Sequence, residues 1–386
     1  MRFEGALATA GFGAIAEFKR RSPSAGDIRP GADVTEIARA YEQAGARAMS
    51  VLVDERFGGT WDDLRAARAA TTLPLVAKGF FSTPADLETA RDAGADAVLL
   101  ILRDLSDASA VALLRVARSL GLDTLVEAHD AEELARAVHI DAPVIGINAR
   151  DLSTFSIDRR AQLALVAQAP RDRLVVAESA IATRAQAAAA ELTGANAILV
   201  GSTLMRAPDP GAKLRELLSR PLVKVCGLTR QEDVDAAVEA GADMVGFILA
   251  AESPRRAERL LDAPDTVLKV AVFVGEPQPT DADLVQLYER EDGHRSRDAV
   301  LLRDDERVGT VVDLPWAAND PTHLDRARAT KGRVMLAGGL GPENVAEAIA
   351  EVRPWAVDSA RSTEEKPGVK HHESLRRWVE AAHVRV

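Results

Sequence analysis

Short, unbroken apolar runs recur along the whole chain, and four of them share one signature: AGARAMSV at 44–51, AGADAVLL at 93–100, TGANAILV at 193–200 and AGADMVGF at 240–247. In each, an amphipathic stretch stops at a glycine, where positive φ costs little, and the chain then enters a run rich in Val, Ile, Leu or Met. The signature marks a helix-to-strand joint. Polar residues do not alternate through these runs, so both strand faces are buried, as in a parallel sheet flanked by helices. The pattern predicts strands near 14–19, 47–53, 74–78, 97–102, 123–128, 144–148, 174–178 and 197–201 in the first half. In the second half it predicts 222–226, 243–249, 268–274, 283–287, 299–302, 308–313, 333–337 and 355–358.

Two sets of eight strands suit an α/β protein of two consecutive (β/α)8 TIM barrels. Only EREDGHRSRD separates the runs at 283–287 and 299–302. That is too short for a full crossover helix, so a shortened or irregular unit is expected there. The boundary falls in LRELLSRPLVKVC, which has no Gly/Ser linker, and gives domains 1–219 and 220–386 that should abut rigidly. Two doubly wound domains would show the same alternation. The placement of polar residues favours barrels, because nearly every predicted strand ends in a charged or small polar residue, where barrel chemistry sits.

The 386 residues suit two cores of roughly 150–250 residues each, and 47% hydrophobic with 28% charged residues is ordinary for a globular chain. One cysteine allows no internal disulfide, and MRFEGALATAGFGAIAEF lacks the charged head and apolar run of a signal peptide, so a cytoplasmic protein is expected. No run reaches the roughly 18 apolar residues of a membrane span. The net charge of −11 argues against nucleic acid and anionic membranes as partners. Anionic substrates would need local binding groups.

Such groups are present. In AIAEFKRRSPSAG, Glu17 and Lys19 are two apart and share one face of a strand. Later strand ends supply Lys78, Glu127, Asn148 with Arg150, and Glu178 with Ser179. Two lysines, three glutamates and an amide would converge on one barrel mouth, a group suited to proton transfer because such neighbours pull one another's pKa values. Any one alone would more often be a solvated strand end. Gly201-Ser202 after ILV offers backbone N–H groups to an anion, or an ordinary tight turn.

In family order, Glu17, Lys19, the Ser-Pro-Ser of 22–24, Lys78, Glu127, the GIN-x-RDL of 146–152, Glu178-Ser179 and Gly201-Ser202 resemble indole-3-glycerol phosphate synthase over about 14–215. The resemblance implies closure, decarboxylation and dehydration of carboxyphenylaminodeoxyribulose phosphate. It makes Lys78 the general acid of ring closure, Lys19 the binder of the substrate carboxylate and a proton donor, and Glu127 the acid or base of dehydration. Glu17, Asn148 and Glu178 would position the substrate, Arg150 would lie near the anthranilate part, and Ser22, Ser179, Gly201 and Ser202 would serve the phosphate. Three features depart from the family. Gly79 follows Lys78 where Asp is usual, Ala180 follows Ser179 where Gly is usual, and only about a dozen residues precede the first strand instead of a few dozen, which implies truncation or altered closure of the mouth.

The single cysteine, Cys226, ends the first strand of the second half, directly before Gly227. Lone cysteines are commonly small core hydrophobes, but at a barrel mouth a thiolate can act as a base. KVCGLTRQEDVDAAVEAGADMVGFIL, the SPRRA containing Arg255, AGGLGPENV (337–345) and VDSARSTEEKPGVK (357–370) resemble phosphoribosylanthranilate isomerase over about 222–380. By that resemblance Cys226 removes the sugar C2 proton in an Amadori rearrangement, and an aspartate acts as the acid. Asp313 fits the family spacing better, with Asp304 the alternative. Arg255 would meet the anthranilate carboxylate, and Gly338, Gly339 and the turn after Asp358 would take the phosphate. The departures are Gln286-Leu287-Tyr288-Glu289 for Gln-Leu-His-Gly, a loop reduced to LPWAAND, and Ala360-Arg361-Ser362 for a Ser-Ser-Gly type turn.

The two resemblances imply a bifunctional tryptophan-biosynthesis enzyme, monomeric, acting on anionic phosphosugar-anthranilate substrates. No redox cofactor or metal is implied, and the seven histidines show no ligand spacing. Two other readings remain at this point: a synthase whose second barrel is a degenerate scaffold or phosphate-ligand binder, and a pair of phosphate-binding barrels that sense a metabolite without turnover.

Overall fold

The computed structural model describes residues 2–22, 26–150, 157–291, 294–314 and 320–383. The chain divides into two compact units, Met1–Ala182 with Ala190–Leu218, and Thr183–Ala189 with Ser219–Val386. Among the described residues no helix is long and apolar enough to cross a membrane.

In the first unit eight strands close into a barrel: β1 (Gly13–Phe18), β2 (Ala48–Leu52), β3 (Leu75–Lys78), β4 (Ala97–Ile101), β5 (Asp123–Ala128), β6 (Val144–Asn148), β7 (Leu174–Glu178) and β8 (Ala197–Val200). All eight neighbouring pairs are parallel. Every strand predicted in this half forms, within one or two residues of its expected ends.

The two-residue period sorts side chains by height inside the cylinder. Ile15, Val76, Leu125, Val144, Val176 and Ala197 share the buried lower layers, and two residues further along the same faces stand Glu17, Lys78, Glu127, Gly146, Glu178 and Leu199. Burial of the lower layers therefore carries the polar layer at the top. Helix α1 (Arg2–Leu7) closes the other end. Its Phe3 and Leu7 are fully buried among the lower residues, and the Phe3 and Glu4 N–H groups donate to Asp123 Oδ2 at 3.0 and 3.2 Å, at the start of β5. The short N-terminal segment is a plug for the base and not a cover for the mouth.

The second barrel is built from β9 (Leu222–Cys226), β10 (Met244–Ile248), β11 (Leu268–Val274), β12 (Leu284–Glu291), β13 (His294–Arg303), β14 (Glu306–Val312), β15 (Val334–Ala337) and β16 (Ala356–Ser359). It also closes in chain order, but β13 is antiparallel to both neighbours. The expectation of a wholly parallel cylinder is corrected here. The residues of EREDGHRSRD, read as a connection, mostly extend β12 and β13, leaving only residues 292–293, which lie outside the described set, between them. A connection that short can join only antiparallel strands. The next turn, at Asp304 and Asp305, has φ of 48° and 63°, the left-handed pair that a two-residue hairpin requires. Among the described residues, α2 (Gln231–Glu239) follows β9, and α3 (His323–Ala329), α4 (Val345–Val352) and α5 (His372–Ala382) follow β14, β15 and β16. Trp378, Leu375 and Val379 of α5 pack into a core with Val223, Val225, Val357 and Leu336.

Candidate active sites

In the first barrel a cavity of about 210 Å³ opens at the C-terminal ends of the strands, lined by Glu17, Lys19, Ser22, Lys78, Glu127, Asn148, Arg150, Ser179, Gly201 and Ser202 among others. Every residue predicted for this site comes together here, with Glu178 directly beneath. Pro23 and Ser24 of the Ser-Pro-Ser motif, and Asp151 and Leu152 of GIN-x-RDL, lie outside the described residues.

Lys78 is the hub. Its Nζ lies 2.7 Å from Glu178 Oε2, 3.4 Å from Glu17 Oε2 and 3.8 Å from Glu127 Oε2. Lys19 Nζ donates to Glu17 Oε1 at 2.8 Å. Burial works against the charged lysine, yet Glu178, Glu17 and Glu127 together hold Lys78 above the usual lysine range. Three glutamates also answer the replacement of Asp by Gly79, since Lys78 has partners without one. Burial would raise Glu17, but Lys19 and Lys78 outweigh it and keep the carboxyl below its usual value. Glu178 goes the other way. Burial and the neighbouring Glu127 lift it to about 7 despite Lys78.

Two glycines make room for these carboxylates. A Cβ on Gly146 would stand 2.1 Å from Glu178 Oε1, and one on Gly201 would stand 2.4 Å from Glu17 Oε1. Ser179 and Ala180 follow Glu178 with φ of 71° and 55°. The family's glycine at the second position suits that left-handed conformation, and Ala180 occupies it at a cost.

Sequence reasoning missed His129. Its Nε2 lies 3.1 Å from Glu127 Oε1, close without being an aligned hydrogen bond, and its Nδ1 lies 2.8 Å from Glu133 Oε2. Burial disfavours the imidazolium, but the two carboxylates outweigh it and raise His129 to about 9. In turn Glu127, against the effect of burial, is drawn down to about 2 by His129 and Lys78. The signal was available: His129 stands two residues after Glu127 in TLVEAHD, the same spacing that linked Glu17 to Lys19.

The second barrel holds a larger cavity, about 840 Å³, at the end where its parallel strands finish. Cys226, Arg255, Asp313, Gly338, Gly339 and Asp358 all line it. Asp304 does not. It sits in the turn that ends the reversed strand β13, at the other end of the barrel, with its side chain 81% exposed. Of the two candidate acids, Asp313 is the one that lines the cavity with Cys226. Residues 315–319 of LPWAAND lie outside the described set.

Burial pushes the Cys226 thiol above its ordinary range, and nearby Lys224 opposes the shift. Lys224 is fully buried and donates to Asp358 Oδ2 at 2.9 Å and Gln286 Oε1 at 2.8 Å. Burial would lower Lys224, but Asp358 and Cys226 hold it above its usual range. Its place two before Cys226 in KVC was legible and overlooked. The Asp358 carboxylate is engaged by Lys224, and the turn after it, Ser359 to Ser362 with Arg361, lines the same cavity. Arg255 donates through Nε to Glu364 Oε1 and Oε2, each at 2.9 Å. Lys370 Nζ donates to the Cys226 carbonyl at 2.6 Å. Glu364, Lys370, Tyr288 and Arg295 were not anticipated, since each enters from a turn, a late strand or the shortened unit.

Comparison with known proteins finds a family for each barrel. The family model for indole-3-glycerol phosphate synthase matches residues 2–217, and that for N-(5'-phosphoribosyl)anthranilate isomerase matches residues 278–381. An indole-3-glycerol phosphate synthase of Opitutus terrae is 47% identical over 214 residues, covering 53% of this chain and 80% of that protein. Solved phosphoribosylanthranilate isomerases of Thermus thermophilus and Thermotoga maritima are 30% and 26% identical, each covering 42% of this chain and 98% of theirs, with TM-scores of 0.34. With its first barrel matched throughout, the chain belongs to the indole-3-glycerol phosphate synthase family, and with an isomerase domain following it is a bifunctional enzyme of tryptophan biosynthesis.

Proposed function

We propose that residues 1–219 carry the synthase and residues 220–386 the isomerase, and that each reaction runs at the strand-end cavity described above. The synthase reading rests above all on Lys78, held charged among three carboxylates at the floor of its cavity. Carboxyphenylaminodeoxyribulose phosphate closes its ring when the anthranilate carbon bearing the carboxylate attacks the ribulose C2 carbonyl. Lys78 gives its proton to the oxygen that becomes the C2 hydroxyl. Carbon dioxide then leaves, its bonding electrons returning to the ring, and the C2 hydroxyl departs as water to form the indole. Glu127 acts as proton acceptor in that dehydration and Lys19 as donor. Glu17, Asn148 and Glu178 position the substrate, Arg150 meets the anthranilate part, and Ser22, Ser179, Gly201 and Ser202 hold the phosphate.

In the isomerase, Asp313 protonates the ribose ring oxygen of phosphoribosylanthranilate as the C1–O bond breaks to an iminium. Cys226 takes the C2 proton, giving an enolamine that tautomerises to the aminodeoxyribulose. Lys224 supports this role, as the cation that opposes the burial penalty on the thiolate. Arg255 meets the anthranilate carboxylate, while Gly338, Gly339 and the turn after Asp358 hold the phosphate. The reading extends to a monomeric cytoplasmic enzyme. Its net charge of −11 supports anionic small molecules captured by local cations over nucleic acid or a membrane as partners.

The test is to assay the two half-reactions separately on the full chain, following the indole product by fluorescence. Cys226→Ala should abolish isomerisation and leave the synthase rate in place. An unchanged isomerase rate would remove the thiol from the mechanism.

A further inference from the structure

Asp313 does not stand alone at the mouth of the second barrel. Its Oδ2 accepts from Tyr288 Oη at 2.8 Å and from Arg295 Nη2 at 2.9 Å, while Oδ1 accepts from the Leu314 N–H at 2.7 Å. The Arg295 guanidinium also lies over the Tyr288 ring, 4.3 Å from its centroid. Behind Tyr288 the direction of donation is fixed. The Gln286 amide nitrogen, which can only donate, bonds Tyr288 Oη at 2.8 Å, so the single phenolic proton is directed to Asp313. Gln286 is anchored in turn by Lys224 at 2.8 Å. Burial and Asp313 hold the Tyr288 phenol well above its usual range, which keeps that proton in place.

Both residues belong to the part of the barrel that departs from the (β/α)8 plan. Tyr288 stands where the family has histidine. Arg295 is the second residue of β13, and it reaches the mouth because that strand runs backwards. The first residues of a parallel strand would lie at the base.

We propose that Tyr288 and Arg295 are positioning residues that hold the Asp313 carboxyl against the ribose ring oxygen, replacing the support that a full helical unit would have given. This rests on the assignment of Asp313 as the isomerase acid. The two residues act on one oxygen from two directions, so they form a unit, and removing either lets the carboxyl rotate.

Tyr288→Phe and Arg295→Met, in the full chain, are each expected to lower isomerase kcat about 10-fold to 100-fold with KM within about 2-fold. Arg295→Lys should recover part of the loss, and the double variant should fall short of the product of the single effects. The melting transition of the second barrel in the same preparations reports whether that barrel is folded. A roughly 10-fold rise in KM at unchanged kcat for Arg295→Met would make Arg295 a binder of the substrate anion and overturn the proposal. Wild-type kcat in both variants would overturn it too. Asp313→Asn separates the two levels. If it is inactive while Tyr288→Phe and Arg295→Met both keep wild-type kcat, only this inference fails; if it keeps isomerase activity, the assignment of the acid fails with it.

Discussion

Replacing Lys78 by methionine keeps the length of the side chain and removes the charge at the centre of the first site. The ammonium serves Glu178, Glu17 and Glu127 at 2.7, 3.4 and 3.8 Å, and the glutamate side chains are 0–4% exposed. Without it, Lys19 remains on Glu17 and His129 remains near Glu127. Glu178 loses the one cation paired with it among the described residues. Breaking a buried pair by removing one partner costs about 3–5 kcal/mol. At about 2–4 °C per kcal/mol for a domain of this size, the melting transition of the first barrel should fall by roughly 6–20 °C at pH 8. The loss should shrink in acid. Glu178 already titrates near 7 with Lys78 present, and burial and Glu127 would lift it further in the variant. A carboxyl raised above its unfolded value favours the folded state at low pH and loses that contribution as pH rises through its folded value, so the gap between variant and wild type is wide at pH 8 and narrow near pH 5. Synthase turnover should fall by about 10²-fold to 10⁴-fold, the usual worth of a general acid. Melting curves at both pH values and the indole fluorescence assay check the two parts. A gap below about 2 °C at pH 8, or one equal at both pH values, would show that the carboxylates are not the desolvated cluster described. Activity above about a tenth of wild type would show that Lys78 is not the acid.

Ala180→Gly removes a Cβ from a residue at φ 55°, and should stabilise the first barrel by about 1 kcal/mol, seen as a higher denaturation midpoint at unchanged slope. His129→Asn should destabilise the same barrel most below about pH 6.5. His129 titrates near 9 when folded, so its contribution is fully present below its unfolded value and is lost as pH rises through 9. Denaturation at pH 6 and pH 10 should therefore show a gap that closes at the higher pH.

The first barrel was legible because one rule governed both its fold and its site. Unbroken apolar runs located the strands, and the two-residue period then carried Glu17, Lys78, Glu127 and Glu178 upward from the buried layers to one rim. His129 and Lys224 obeyed the same rule and were missed because it was not extended one step past Glu127 or back from Cys226. The function of α1 was not legible. Six residues with Phe3 and Leu7 on one side carry no sign of which end of a cylinder they will enter, and the docking on Asp123 spans 120 positions.

The second barrel shows where that rule stops. Apolarity locates a strand, but its direction is set by the connection that leads into it. The apolar pattern divides residues 283–313 into three runs, as the structure does, but it reads the polar EREDGHRSRD as a connection where those residues mostly extend β12 and β13. Two hairpins in succession reverse the chain twice, so β14 lies parallel to β15 again while β13 alone presents its beginning to the mouth. The Asp-Gly at 292–293 is the strongest short-range hairpin signal a sequence carries, and it predicts this reversal. Once the reversal is accepted, the residues to search for the site in that strand are its first and not its last. That inverts the usual rule for barrels, turns attention from Arg303 and Asp304 to His294 and Arg295, and leads from the sequence to the guanidinium that meets Asp313.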